Sequence, residues 1–205
     1  MPAGASGSPL LAAQSLSLVR GGRELFRELS FEVTAGQLWQ IEGANGAGKT
    51  SLIRILCGLS RYGFEGRVER VAQQLYLGHQ SAVKALLSPR ENIALHVSGG
   101  GSYCDAQIEG ALARVGLYGY EDVPSHTLSA GQHRRVNLAR LYLSSAPMWL
   151  LDEPFTAIDK DGVDELQNAL ATHVNAGGAV VLTSHQPLQV RCDVQFLRLD
   201  GNLPA

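Results

Sequence analysis

The sequence predicts an α/β domain built on a mostly parallel sheet with helices packed on its faces. Three observations lead to this fold class. Strand-like apolar runs alternate with helix-like segments along the chain, which is typical of parallel sheets. A glycine-rich loop, residues 43–48, lies between a predicted strand and a predicted helix. The 205 residues, 45% hydrophobic and 18% charged, suffice for one globular domain with a small lobe and exclude a disordered chain.

The first half of the chain supplies strands around the glycine-rich loop. Short apolar or alternating runs predict these strands, and the polar turn Arg20–Arg23 separates the first two. The helix after the loop begins at Lys49 and ends near Gly58. The predicted strands of this half are Leu10–Val19, Leu29–Val33, Leu38–Glu42 and Val71–Leu77.

Residues 81–126 differ from their surroundings because their apolar residues recur at helical spacing. Ser88 and Glu91 have the spacing of a capping box, with Pro89 at the first helical position. A second helix ends at Gly116, and the whole segment is predicted to be a helical lobe inserted into the α/β core. The apolar face of that second helix consists of Ile108, Ala111, Leu112 and Val115.

After this lobe the α/β core resumes. Its predicted elements are a helix after Ser129, the strand Met148–Leu151, a helix with Val163, Leu166, Leu170 and Val174 on one face, and the strands Ala179–Thr183 and Val194–Leu199.

Composition excludes several classes of protein. The longest apolar runs, such as Met148–Leu151, are far shorter than the roughly 20 residues of a membrane helix. The net charge of −2 argues against a nucleic-acid-binding protein held by phosphate contacts. Cys57, Cys104 and Cys192 are odd in number and widely spaced, which indicates neither a disulfide framework nor a zinc site and favours a reducing cytoplasm. Residues 1–9 lack the features of a signal peptide and are expected to form a flexible tail.

The segment from Gly43 to Thr50 matches the phosphate-binding pattern G-x-x-x-x-G-K-[ST] at every specified position. Glycines suit this loop because the backbone must wrap around a phosphate with its N–H groups pointing inward. Lys49 is expected to reach the β- and γ-phosphates, and the hydroxyl of Thr50 to bind Mg²⁺. The alternative interpretation, a glycine-rich turn without function, would match the pattern by chance in roughly one chain in a hundred.

Two carboxylates, Asp152 and Glu153, follow the apolar strand Met148–Leu151. The carboxyl ends of parallel strands are where such folds bind ligands. Asp152 is expected to hold Mg²⁺, and Glu153 to accept a proton from the attacking water. Many surface strands also end in acidic residues, so the acidic pair alone is weak evidence for a ligand site. It becomes strong evidence because a phosphate loop precedes it in the chain. Together the two motifs predict a nucleoside triphosphatase.

A third motif, Leu128–Gln132, narrows the class. Ser129 and Gln132 have capping-box spacing, which a plain helix cap would explain equally well. At this point the chain resembles the ATP-binding cassette (ABC) family, whose signature Leu-Ser-Gly-Gly-Gln stands shortly before an apolar strand ending Asp-Glu. Ala130 replaces the first glycine of that signature, while Ser129 and Gly131 are retained.

The resemblance covers nearly the whole chain and implies further features. The family's architecture adds an antiparallel β part and divides the domain into a RecA-like core, residues 10–80 and 127–205, and a helical lobe, residues 81–126. Gln80 matches a glutamine near Mg²⁺, Asp159 an aspartate that crosses a dimer interface, and His185 a switch histidine that contacts the γ-phosphate. Two copies are expected to pack head to tail around ATP. The residues then implied to bind ATP are Gly43, Ala44, Asn45, Gly46, Ala47, Gly48, Lys49, Thr50, Ser51, Ser129, Ala130, Gly131, Gln132 and Asp159; those implied in catalysis are Lys49, Gln80, Glu153 and His185, and those implied at Mg²⁺ are Thr50, Gln80 and Asp152.

One feature of the family is missing. Its members usually stack the adenine on an aromatic residue in the turn between the first two strands, and the turn Arg20–Glu24 contains none. Phe26 and the guanidinium plane of Arg20 are the nearby candidates for stacking.

Within the family, several segments are similar to the ATP-binding subunits of the haem exporter of cytochrome c biogenesis. They are Gly78–Gln80, Leu128–Leu141, Asp152–Asp159 and Ser184–Pro187, with Phe155 and Ile158 as the most telling residues. This resemblance implies a peripheral subunit on the cytoplasmic face of the bacterial inner membrane that works with two multispan membrane partners. No haem-attachment motif surrounds the six histidines, so no haem is expected to bind this subunit alone.

Other functions remain open at the level of sequence. The main alternative is the ATPase subunit of a transporter for another small solute. A non-transport cassette would usually carry tandem cassettes or a long coiled-coil insertion. A metabolic kinase could use the same phosphate loop, but it has no need for the motif Leu128–Gln132 or for a switch histidine.

Overall fold

The computed structural model describes residues 8–95 and 103–199. Two sheets and a group of helices make up this part of the chain. The predicted tail, residues 1–9, lies mostly outside it. In chain order the elements are β1 (Leu11–Arg20), β2 (Arg23–Val33), β3 (Leu38–Glu42), α1 (Lys49–Leu56), β4 (Glu65–Arg70), β5 (Gln74–Leu77), α2 (Pro89–Leu95), α3 (Asp105–Arg114), α4 (Ala130–Ala139), β6 (Met148–Leu151), α5 (Lys160–Asn175), β7 (Ala179–Thr183) and β8 (Val194–Arg198).

The central sheet has five parallel strands in the order β5-β6-β7-β3-β8. Every residue of β6 and β7 is buried, as expected for strands covered on both faces. Their apolar runs therefore predicted the strands correctly. Because all five strands run the same way, the loops after β3, β5, β6 and β7 lie along one edge of the sheet.

A second, antiparallel sheet has the order β2-β1-β4. Its hairpin turns at Gly21 and Gly22, both with positive φ, as a two-residue loop requires. The prediction was wrong about two boundaries, since β2 begins at Arg23 rather than Leu29 and β5 at Gln74 rather than Val71. It also missed β4. Both sheets together confirm the predicted fold class.

Three helices, α2, α3 and α4, pack around a separate apolar cluster that includes Ile93, Leu112 and Val136. The capping box before α2 is confirmed, because the Ser88 N–H donates to Glu91 Oε2 (2.8 Å) and the Glu91 N–H to Ser88 Oγ (3.2 Å). The division of the chain into a core and a lobe spanning residues 81–126 stays a prediction. No helix in the described ranges 8–95 and 103–199 is long and apolar enough to cross a membrane.

Candidate nucleotide site

The loop between β3 and α1 requires glycine at several positions. Gly43, Gly46 and Gly48 have φ values of 148°, 81° and 100°, which residues other than glycine rarely adopt. A Cβ on Gly43 would also lie 2.7 Å from the carbonyl oxygen of Leu199, and one on Gly48 would lie 3.1 Å from Cβ of Leu25. The loop is thus fixed against both β2 and the end of β8.

Lys49, the first residue of α1, is buried at 8% exposure. Its Nζ donates to the carbonyl oxygens of Gly43 (2.7 Å) and Ala44 (3.2 Å), which places the ammonium inside the curve of the loop. Gly48, the N-cap residue of α1, has no side chain that could cap the helix, and the first turn of α1 has no acidic residue. A helix N-terminus with free N–H groups and a buried cation together favour an anion at this point.

Asp152 follows β6 and is 1% exposed. Its Oδ1 accepts hydrogen bonds from the hydroxyls of Thr50 (3.1 Å) and Thr183 (2.9 Å). Its buried Oδ2 has no hydrogen-bond partner within the described residues. A buried carboxylate oxygen without a donor, next to a threonine hydroxyl, fits Mg²⁺, which prefers oxygen ligands and takes the rest from phosphates and water. In the same described residues, no group of three or more His, Cys, Asp or Glu side chains could hold a metal by itself.

Glu153 has a left-handed backbone with φ of 50°, uncommon for a residue other than glycine. Its N–H donates to Thr183 Oγ1 (2.8 Å) and its carbonyl oxygen accepts from Arg134 Nη2 (2.6 Å). In this conformation Glu153 Oε1 lies 3.4 Å from His185 Nε2. The structure therefore brings together the residue expected to accept a proton from the attacking water and the residue implied to contact the γ-phosphate.

Arg134 was missed by sequence analysis, which offered no role for it. It lies in α4 at 4% exposure, and its guanidinium donates to the carbonyl oxygens of Gly78 (2.7 Å), Asp152 (3.2 Å) and Glu153 (2.6 Å). Burial lowers the pKa of Arg134, and the nearby carboxylates of Asp152 and Glu153 oppose that shift. Two weaker contacts reach the carbonyl oxygens of His79 and Pro154, both at 3.4 Å.

The motif Leu128–Gln132 forms the start of α4. The Gln132 N–H donates to Ser129 Oγ (3.2 Å) and the Ser129 N–H to Gln132 Oε1 (2.9 Å), so the predicted capping box is present. Ser129 and Ala130 are exposed. A Cβ on Gly131 would lie 2.9 Å from the carbonyl oxygen of Ala157, which places this glycine against the loop after β6.

Gln80 is exposed and lines a cleft of about 550 Å³ together with Thr50, Asp152 and Arg140. The cleft lies at the edge where the strands of the central sheet end. Gln80 is therefore near the two residues that fit Mg²⁺.

Asp159 stands at the start of α5 and is also exposed. Its Oδ1 accepts from the Gly162 N–H (3.1 Å) and its Oδ2 pairs with Arg135 Nη2 (2.6 Å). The hydrogen bond from Gly162 and then the contact with Arg135 lower the pKa of the Asp159 carboxyl. In this structure Asp159 thus caps a helix and ties α5 to α4.

The two candidates for stacking the base differ in exposure. Phe26 is 7% exposed and packs beneath the phosphate loop, since a Cβ on Gly48 would lie 3.4 Å from its ring. Arg20 is exposed at the hairpin turn. Only Arg20, of these two, offers its side chain to a ligand.

The sequence of this chain matches a known protein family. The family model described as "ABC transporter" matches residues 26–156, which is more than half of the chain. The chain therefore belongs to the ABC transporter family. It is a nucleotide-binding, ATP-hydrolysing member, so the resemblance and the ATPase class predicted from the sequence are confirmed.

Curated relatives are similar over nearly their whole length, and each is named "Cytochrome c biogenesis ATP-binding export protein CcmA". The protein of Hahella chejuensis is 48% identical over 203 residues, which cover 94% of this chain and 96% of the relative. The protein of Methylococcus capsulatus is 46% identical over 202 residues, covering 92% and 97%. The protein of Yersinia pestis is 49% identical over 191 residues, covering 87% of both.

Solved structures show the same fold at low sequence identity. A putative ABC transporter ATP-binding protein from Pyrococcus furiosus superposes with a TM-score of 0.79 at 23% identity, covering 92% of this chain and 96% of that one. A dimeric, post-hydrolysis structure of an ATP-binding cassette bound to ADP and Pi gives a TM-score of 0.75 at 20% identity, covering 86% and 88%.

Proposed function

We propose that this chain is the ATP-hydrolysing subunit of a membrane transporter, the haem exporter of c-type cytochrome biogenesis. Relatives named for cytochrome c biogenesis and export, at 46–49% identity over most of the chain, support the pathway. The observation that carries the ATPase mechanism is the hydrogen bond between Thr50 Oγ1 and Asp152 Oδ1. It joins the segment Gly43–Thr50 to Asp152, the residue directly after β6.

Binding of ATP begins at the loop after β3. The N–H groups of the loop and of the first turn of α1 surround the β-phosphate, and Lys49 moves its ammonium from the carbonyl oxygens of Gly43 and Ala44 to the phosphates. Thr50, Asp152 and Gln80 would hold Mg²⁺, which would neutralise charge on the β- and γ-phosphates when bound. The residues proposed to bind the nucleotide in this way are Gly43, Ala44, Asn45, Gly46, Ala47, Gly48, Lys49, Thr50 and Ser51.

Hydrolysis depends on Glu153 and His185. Glu153 Oε1 and His185 Nε2 are 3.4 Å apart. A water bound to the carboxylate would therefore lie close to a γ-phosphate oxygen bound to the imidazole. Glu153 orients the water and takes its proton, while His185 donates to the phosphate. Because the phosphoryl charge is spread over several oxygens in the transition state, positioning and electrostatic stabilisation supply most of the acceleration.

Each site is completed by a second copy of the chain. The hydrogen bonds of Ser129 and Gln132 are made with each other at the exposed start of α4, where N–H groups and a hydroxyl can face an anion on another molecule. In a head-to-tail dimer, the segment 129–132 of one copy covers the γ-phosphate bound by Lys49 of the other. Asp159 follows two residues after Ala157, whose carbonyl oxygen lies against Gly131, and would lie at the same interface.

The membrane part of the transporter belongs to other chains. Dimers working with membrane partners are general in the family, and we propose multispan partners of the CcmB-like and CcmC-like types for this chain. The subunit would then be peripheral, on the cytoplasmic face of the bacterial inner membrane. Hydrolysis there would drive haem export or the release of a haem-loaded chaperone.

The test of the mechanism is the variant Glu153→Gln, which keeps the shape of the side chain but removes the base. We expect ATP binding to persist, multiple-turnover hydrolysis to disappear, and a dimer to accumulate with ATP in size-exclusion chromatography with light scattering. Glu69→Gln, the same change at an exposed position in β4, is the matched control and should behave as wild type. Normal turnover by Glu153→Gln would refute the role of Glu153.

A further inference from the structure

Thr183, the last residue of β7, was part of a predicted strand but received no role from the sequence. It is fully buried and is the only residue of β7 with a polar side chain. Its hydroxyl donates to Asp152 Oδ1 (2.9 Å) and accepts from the Glu153 N–H (2.8 Å). One oxygen atom thus contacts both residues of the carboxylate pair, using its donor and one of its acceptor positions.

The contact with the Glu153 N–H bears on an unusual backbone. Glu153 has φ of 50°, and a side-chain-bearing residue stays in this region only when its surroundings hold it there. Thr183 holds the N–H of Glu153, and Arg134 Nη2 holds its carbonyl oxygen at 2.6 Å. The direction of the Glu153 side chain, which ends 3.4 Å from His185 Nε2, follows from this backbone conformation.

The contact with Asp152 bears on the metal side of the site. Asp152 Oδ1 shares its lone pairs between the hydroxyls of Thr50 and Thr183, and this leaves Oδ2 without a hydrogen-bond partner among the described residues. A carboxylate that would hold Mg²⁺ is oriented by such outer hydrogen bonds. Valine has nearly the same shape as threonine and would continue the apolar run of β7, so packing alone does not require a hydroxyl here.

We propose that Thr183 is a positioning residue for ATP hydrolysis. Its hydroxyl fixes the carboxylate of Asp152 and the backbone of Glu153 relative to each other, so that the metal ligand and the general base are held at the spacing the reaction needs. This inference rests on the proposed function, because it assigns to Thr183 a part in the hydrolysis that Glu153 carries out. Thr183 itself acts only through its two neighbours.

The experiment compares Thr183→Val, which removes the hydroxyl, with Thr183→Ser, which retains it. We expect Thr183→Val to lower kcat by about 10- to 100-fold, the range typical for partners that orient metal ligands. Its affinity for ATP in EDTA should stay unchanged, because the two hydrogen bonds of the Thr183 hydroxyl go to Asp152 and Glu153 and not to the phosphate loop. Without nucleotide, amide hydrogen exchange in a peptide covering residues 150–156 should become faster, since the Glu153 N–H loses its acceptor. Thr183→Ser should restore both turnover and protection.

Thr34→Val is the matched control. Thr34 is also buried, at 8% exposure, but its hydroxyl has no hydrogen-bond partner within the described part of the chain. This variant should match wild type in turnover and in exchange over residues 150–156.

Three outcomes would contradict the proposal. Wild-type kcat in Thr183→Val would overturn the role of the hydroxyl. Equal losses in Thr183→Ser and Thr183→Val would assign the effect to packing instead. A wild-type chain that neither binds nor hydrolyses ATP would overturn the proposed function as well as this inference. The first two outcomes differ from it because wild type still hydrolyses ATP in both.

Discussion

Replacing Arg134 by alanine should strongly destabilise the fold, because a buried cation is removed from the junction of three chain segments. Its guanidinium makes three hydrogen bonds of 3.2 Å or less, to the carbonyl oxygens of Gly78, Asp152 and Glu153. A hydrogen bond to a charged group contributes about 1.5–3 kcal/mol, which gives about 4.5–9 kcal/mol for three. The desolvation cost of the buried cation offsets part of this sum, so we expect a net loss of about 3–5 kcal/mol.

Urea and thermal unfolding, followed by circular dichroism, measure this loss directly. For a chain of this size, the expected loss corresponds to a fall in Tm of roughly 6–20 °C. Arg135→Ala is the matched control, since Arg135, the neighbouring arginine, makes an exposed ion pair with Asp159, and exposed pairs contribute little to stability. Arg134→Lys should fall between wild type and Arg134→Ala, because one ammonium cannot reach all three carbonyl oxygens. A loss below about 1 kcal/mol in Arg134→Ala would refute the reasoning.

Two further predictions concern nucleotide affinity and pH. Lys49→Ala should lose most ATP affinity in calorimetry, because its ammonium lies inside the curve of the phosphate loop. Unchanged ATP binding would contradict the loop geometry. His173 stacks on Trp149 with ring centroids 3.8 Å apart, and burial lowers the pKa of His173 below its usual 6.5. The unfolded chain therefore takes up this proton first, so the stability due to neutral His173 is present above about pH 6.5 and is lost as the pH falls below it. The difference in unfolding free energy between wild type and His173→Gln should narrow from pH 7.5 to 5.5, and a constant difference would exclude this linkage.

Sequence patterns predict well those parts of the fold in which burial or backbone geometry requires particular residue types over a short segment. The strands Met148–Leu151 and Ala179–Thr183 are buried on both faces, so each is a continuous apolar run. The loop from Gly43 to Gly48 needs positive φ at several positions, and its glycines are visible in the sequence.

The strand β4 has no such residue pattern. Glu65–Arg70 is almost entirely exposed and mostly charged, and it is held by backbone hydrogen bonds to β1. A hydrophobic pattern cannot reveal a strand whose side chains contribute little to the core.

Two of the residues that organise the candidate site also escaped the sequence analysis, for different reasons. Two adjacent arginines, Arg134 and Arg135, are typical of an exposed helix surface. The spacing of four and seven residues from Arg134 to Leu138 and Leu141, which are buried, nevertheless places Arg134 on the buried side of the helix. Thr183 ends an apolar run in which threonine is an ordinary strand residue. Its role depends on a contact with the Glu153 N–H, some 30 residues away, and no local pattern records such a contact.

The most direct test of the proposed function is to capture Glu153→Gln with ATP from detergent-solubilised bacterial membranes and to identify its partners by mass spectrometry. Glu69→Gln provides the matched background. Multispan membrane subunits of the CcmB-like and CcmC-like types, enriched with ATP over the background, are the predicted result. Enrichment of permease subunits of another solute transporter would leave the ATPase site intact and contradict the assignment to haem export.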